Sequence, residues 1–207
     1  MNQHILIELI KRIQSISQLG LSYAANEYDI ERYKELNELI HEMIHVATKE
    51  PLTVIDNYFN QDKEYKTPKT DIRAVVFNEQ KEILLVKEKS DGLWSLPGGW
   101  ADIGSTPSEV AVNEVKEETG LDVSVVKLLA VLDKRCHAHP PQADYVYKFF
   151  IQCKITGGAF KDAFDISATG FFSKDSLPPL SLIRVLPEQI HLMFQYMEDP
   201  LKAVSLD

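Results

Sequence analysis

Apolar residues recur at helical spacing through the first quarter of the chain and then give way to short apolar runs broken by Gly, Pro and Asp. Ile5, Leu6, Leu9, Ile10, Ile13 and Ile16 form one stripe, which predicts a helix over roughly residues 2–18 that Leu19-Gly20-Leu21 ends. A second stripe, Ile30, Tyr33, Leu36, Ile40, Met43, Ile44 and Ala47, predicts a helix from Tyr28 to Thr48. A shorter third segment follows Pro51 with Leu52, Val54, Ile55, Tyr58 and Phe59. The polar stretch 60–70 reads as a linker. Stripes this broad are not buried by two or three helices alone, so they call for cover from the next domain and from a second copy of the chain.

From Asp71 the pattern is that of strands. DIRAVVF and EILLVKEK read as two strands joined at Asn78-Glu79-Gln80-Lys81, and Asp91-Gly92 makes a turn before Leu93-Trp94-Ser95-Leu96. Val123 to Asp133 is β-rich, another strand starts at Asp144, Gly157-Gly158 reads as a turn, and Phe171-Phe172 sits in a short strand. A last helix is expected from about Leu180 to Met197. Between the strands lies a well-signposted helix. Thr106 suits the N-cap, Pro107 the first helical position and Glu109 the capping box, while Gly120 supplies the stop. Strands sandwiched by two helices predict an α/β fold, an α/β/α sandwich with a mixed sheet. The expected division is a helical domain over 1–66 and a second domain over 67–207.

Composition narrows the function. With 207 residues and 44% hydrophobic content, the chain is an ordinary globular protein without an apolar run long enough to span a membrane. Glu8, Lys11 and Arg12 interrupt the N-terminal stretch, so it does not read as a signal peptide, and a cytoplasmic setting is expected. Cys136 and Cys153 lack metal-ligand spacing and read as reduced thiols. A formal net charge of −9 argues against broad nucleic-acid binding. An acidic protein handling phosphates must recruit them locally, through bound cations and a few well-placed Arg and Lys.

Glu114, Glu117 and Glu118 fall on one stripe of the capped helix, directly after the turn Pro97-Gly98-Gly99. Three like charges at this spacing repel one another. An isolated run of this kind is usually a solvated face; with the Pro-Gly-Gly turn upstream, a hard divalent cation is the stronger reading. The segment from Gly99 to Leu121 resembles the signature box of the Nudix hydrolases: Gly, five residues, Glu, seven residues, then Arg-Glu-aliphatic-x-Glu-Glu-x-Gly-aliphatic. Gly99, Glu114, Val115, Glu117, Glu118, Gly120 and Leu121 match at the right spacing. Ser105 stands where the box has Glu and Asn113 where it has Arg, a pair that in the family is thought to form a salt bridge. Losing both keeps the local charge balanced, but Asn113 cannot supply a cationic fork. GLSY followed by YDIERYKELNELI is similar to the helical extension of a bacterial Nudix subgroup that includes CDP-choline and ADP-ribose hydrolases.

The resemblance implies a Nudix-type fold and a pyrophosphohydrolase. It would use Mg²⁺ or Mn²⁺, held by Glu114, Glu117, Glu118 and the Gly98 carbonyl, on a nucleoside diphosphate derivative. Glu114, Glu117 and Glu118 are then also the catalytic residues, and a homodimer is expected. Arg73, Lys87, Lys134, Arg135 and Asp165 are candidate substrate contacts, with Asp165 also a candidate base or metal ligand. The bland alternatives are strand-edge or solvated loop charges. His137 and His139 invite zinc, but no further cluster completes such a site, and a loop or pocket role is favoured. Trp94 and Trp100 read as packing before base stacking. Ser105 and Asn113 keep open an alternative, a nucleotide-binding module that hydrolyses poorly.

Overall fold

Asn26 sets the geometry of the N-terminal unit. Its side chain accepts a hydrogen bond from the Asp29 amide at 2.8 Å and caps α2 (Glu27–Thr48), separating it from α1 (Gln3–Tyr23) by a connection short enough to force a hairpin. Ser17 Oγ donates to the Tyr33 carbonyl at 3.2 Å and Gln14 meets His41 at 3.4 Å, so the two helices run antiparallel. The helix α1 does not stop at Leu19-Gly20-Leu21 but continues to Tyr23. Gly20 is used for close packing instead, because a Cβ there would overlap the Tyr33 ring of α2. α3 (Leu52–Phe59) is tied back by a 2.6 Å contact between His41 Nδ1 and Asp56, and Ile10, Ile40 and Ile55 are buried. Ile5, Leu9, Ile13 and Ile16 of α1 remain exposed, as do Leu39, Met43 and Val46 of α2.

The structure is a computed structural model and describes residues 3–59, 67–102, 104–142 and 144–207; most of the linker expected over 60–70 lies outside the described residues. The chain divides into two compact units, Met1–Thr67 and Pro68–Asp207. The second unit contains β1 (Lys69–Val76), β2 (Ile83–Glu88), β3 (Trp94–Ser95), α4 (Pro107–Thr119), β4 (Leu121–Asp133), β5 (Val146–Gly158), β6 (Ile166–Phe172), α5 (Pro187–Glu198) and β7 (Ser205–Leu206).

These strands form two sheets. One is mixed, in the order β1-β5-β4-β7, with β1 parallel to β5 and β4 antiparallel to it. The other is antiparallel, β3-β2-β6. The consecutive strands β1 and β2 therefore belong to different sheets, joined by the turn after Phe77. Side-chain alternation along β1 explains how both faces are used. Ile72, Ala74 and Val76 pack with Val110, Ala111 and Val115 of α4, while Val75 packs with Ile190, Met193 and Phe194 of α5.

Two sequence expectations change here. Gly157-Gly158 is not a turn but the end of β5, paired with Asp122 and Leu121, where a side chain at Gly158 would overlap the Gly120 carbonyl. The last helix starts at Pro187 rather than near Leu180. Proline lacks the amide for an interior helical bond and its ring collides with the preceding turn, so it is accommodated at the first position. By contrast α4 has the full capping box between Thr106 and Glu109, and Gly120 ends it in the left-handed conformation at φ 83°.

Gly120→Ala is expected to destabilise the protein by about 2 kcal/mol or more, because a side chain is disfavoured at this φ and its Cβ would overlap the Ala159 carbonyl. Urea unfolding of the two proteins measures this, and equal midpoints would show that the backbone relaxes at no cost.

Candidate active site

The turn Pro97-Gly98-Gly99 is stitched to β1. The Ala74 amide donates to the Pro97 carbonyl at 2.9 Å, the Ile72 amide to the Gly99 carbonyl at 2.8 Å, and the Ala101 amide to the Thr70 carbonyl at 2.9 Å. Gly98 adopts φ 140° and lies so close to β1 that a Cβ would overlap the Ile72 carbonyl oxygen. Its amide is thereby turned toward α4 and donates to Glu118 Oε2 at 3.0 Å. At Gly99 a Cβ would come within 2.5 Å of Glu114 Oε1. Gly99 thus leaves the room that Glu114 fills, while Gly98 lets the turn lie against β1 and offers its amide to Glu118.

Those carboxylates are held partly out of water. Glu118 is only 5% exposed, and burial pushes its carboxyl up to about 8 against the pull of Arg73 and the Gly98 amide. Burial likewise raises Glu114 to about 7; Arg73 opposes the shift, and Glu117 and Asp165 add to it. Glu117 itself is exposed at the outer edge of the stripe. Asp165 is exposed in the loop before β6, near enough for its charge to act on Glu114. Lys89 fixes this loop, donating through Nζ to the carbonyls of Ala163 and Phe164 at 3.0 and 2.7 Å and through its amide to Asp165 O at 2.8 Å.

Arg73 is not a surface cation. It is buried on β1, its Nε donates to Asp71 Oδ1 at 2.8 Å and its Nη1 to the Leu96 carbonyl at 3.0 Å. Asp71 also meets Lys148 of β5, which is fully buried and whose ammonium is lowered to about 8 by that burial. Sequence reasoning missed Asp71 and Lys148. The signal was there in Asp71 and Arg73, opposite charges two apart in the strand, which share a face and so can pair. It also missed Glu88, buried at the end of β2, which accepts from Ser95 Oγ at 3.2 Å and pairs with Arg184 at 3.0 Å.

The other candidates are dispersed. Lys87 is half-buried on β2 between Trp94 and Ala168 in the sheet register. Lys134 donates to Gln142 and to the Ile183 carbonyl, and Arg135 pairs with Asp133 at 3.3 Å. The hydrogen bonds and ion pairs described for Lys134 and Arg135 are with groups other than the glutamates of α4. Trp94 packs edge-on against Phe172, and Trp100 is half-exposed with Lys69 over its ring. Ser105 and Asn113 are both exposed.

Comparison with known proteins gives the family. The family profile described as "NUDIX domain" matches residues 67–192. This chain is a Nudix hydrolase. A second profile, "UDP-X-like, N-terminal oligomerisation domain", matches residues 5–59. The provisionally named ADP-ribose pyrophosphatase YjhB of Bacillus subtilis is 43% identical over 97% of this chain and 96% of its own length. The crystal structure of an ADP-ribose pyrophosphatase from Streptococcus suis is 41% identical, with a TM-score of 0.60 over 68% of this chain and all of that one. The crystal structure of a UDP-X diphosphatase is 31% identical, with a TM-score of 0.65 over the full length of both. The α/β Nudix-type fold with a mixed sheet and an N-terminal helical extension is thereby established for this chain.

The His-x-His pair of the Nudix domain has local partners. His139 Nδ1 donates to the Leu182 carbonyl at 2.7 Å and its Nε2 accepts from Gln189 Nε2 at 3.1 Å, while His137 meets Asp207 at 2.8 Å. Burial lowers His139 to about 4, whereas the unfolded chain takes up this proton near 6.5. Its contribution to stability is therefore present above pH 6.5 and is lost as the pH falls through 4. An NMR titration should show a neutral Nδ1–H ring down to about pH 5; a midpoint near 6.5 would mean that the buried arrangement does not persist in solution.

Proposed function

We propose that this Nudix hydrolase cleaves the diphosphate linkage of a nucleoside diphosphate derivative such as ADP-ribose or CDP-choline, using Mg²⁺ or Mn²⁺. The observation that carries the reading is the meeting of Gly98, Gly99, Glu114 and Glu118, in which a backbone amide and a missing side chain set two partly buried carboxylates side by side. The names borne by the Bacillus and Streptococcus relatives support ADP-ribose; the UDP-X diphosphatase supports the broader class.

The donor set fits a hard divalent cation. Among the described residues no three His, Cys, Asp or Glu side chains already form a finished cage. Mg²⁺ does not need one, since it takes one or two carboxylates and completes its shell with water and substrate phosphates. Glu114 and Glu118 would hold it, with Glu117 and the Gly98 carbonyl as further ligands. When bound, the ion would polarise the diphosphate and lower the pKa of water. The chain's own part is positional: Gly98 fixes one oxygen of Glu118 and leaves the other for the site, and Glu114 fills the room beside Gly99. The water's proton goes to a carboxylate of this group, Asp165 included.

Turnover of ADP-ribose, CDP-choline and UDP-sugars with Mg²⁺ and Mn²⁺ tests the reading. In Glu118→Gln the Gly98 amide keeps an acceptor and Arg73 keeps Asp71 as its counter-ion, so folding is preserved while turnover falls by about a hundredfold or more. Wild-type binding without product would instead favour the poorly hydrolysing module that Ser105 and Asn113 first suggested.

The chain also forms a homodimer in this proposal. The support is the exposed apolar stripe Ile5, Leu9, Ile13 and Ile16 on α1, together with the description of the profile that matches residues 5–59. Sedimentation should find a dimer that dissociates in Leu9→Glu/Ile16→Glu; an unchanged dimer would locate the interface elsewhere.

A further inference from the structure

The Nudix box expects a cation at position 113, and this chain has an exposed asparagine there. The cation that does face the two carboxylates comes from another element. We infer that Arg73, lying beneath the Pro97-Gly98-Gly99 turn on β1, is a positioning residue that holds Glu118 by fixing the turn whose amide grips it, and so supplies from the sheet what Asn113 does not supply from the helix.

The geometry forms a continuous chain of contacts. Lys148 meets Asp71, and Asp71 accepts from Arg73 Nε at 2.8 Å, so the guanidinium is anchored from behind. Arg73 Nη1 donates at 3.0 Å to the carbonyl of Leu96, the residue that leads into the turn. The Arg73 Cα lies against Gly98, 3.0 Å from where a Cβ would stand. The backbone bonds from Ile72 and Ala74 hold the same turn on either side of this point. Gly98 then passes the constraint to Glu118 through its 3.0 Å amide bond. Both ends are buried, Arg73 at 6% exposure and Glu118 at 5%, so water does not compete for these bonds.

Electrostatics act in the same direction. Arg73 is the cation that most favours ionised Glu114 and Glu118, and Glu118 in turn helps keep Arg73 charged in its buried site. A guanidinium suits the task better than an ammonium because its planar fork serves Asp71 and Leu96 at once. The two hydrogen bonds it makes, through Nε and Nη1, are both internal to the protein.

The inference rests on the proposed diphosphate hydrolysis for its kinetic consequences, but its structural consequence can be measured without substrate or metal. In Arg73→Gln, amide exchange at Gly98 should accelerate by about tenfold or more while Ala111 and Val115 in α4 keep wild-type protection. With the best substrate, kcat should fall by about 10–100-fold, the usual cost of losing an outer-shell partner, and KM should change less than about twofold. Adding Asn113→Arg to Arg73→Gln should recover part of the lost kcat. Arg73→Lys should give intermediate kcat and intermediate Gly98 protection, and it stands in if the glutamine variant does not fold.

A raised KM with unchanged kcat would make Arg73 a substrate contact and overturn the inference. Uniform loss of protection, with activity following only the folded fraction, would make it a plain structural ion pair. Wild-type Gly98 exchange in Arg73→Lys would also overturn it. If the wild-type enzyme turns over no diphosphate, the functional proposal fails, while the Gly98 exchange still decides whether Arg73 holds the turn.

Discussion

A carboxylate brought indoors and steadied by a backbone amide is the constraint on which the catalytic unit turns. Glu118 loses most of its hydration and gains one short link to Gly98. That link exists only because the turn lies flat against β1, and the turn lies flat only because it carries no side chain at Gly98. The capped helix, the edge strand and the glycine turn are therefore one object. Moving any of them by an ångström would either drown the glutamate or bury it without a partner.

The local parts of this object were legible in the sequence. Thr106, Pro107, Glu109 and Gly120 announce α4 because capping is decided within a few residues. The spacing of the glutamates follows from the helix alone. What was not legible is long-range. Nothing near Lys69–Val76 says that this strand pairs in parallel with Val146–Gly158, or that β2 leaves for another sheet. Charges in strands are ordinarily read as edges, and although Asp71 and Arg73 sit at pairing distance within one strand, Lys148 could not be joined to them until the sheet register placed it opposite Asp71. Gly20 shows the same limit. It looked like a stop, but its neighbour Tyr33 belongs to the next helix.

The N-terminal unit obeys a different economy. Its seam combines apolar contacts with a polar layer in which Gln14 meets His41 and His41 meets Asp56. Such a layer stabilises little but fixes the register of α1 on α2. The outward apolar stripe of α1 is then presented at a defined angle rather than on a sliding helix.

The double grip of Lys89 on Ala163 and Phe164 makes the segment before β6 an attachment of β2 rather than a free arm. Phe164 is 98% exposed at its tip, beside Asp165. A segment anchored this way keeps Asp165 close enough for its charge to bear on Glu114 of the acidic helix. Substitutions at the Phe164 tip can therefore reshape that outward surface while the backbone that carries Asp165 stays tethered to the sheet.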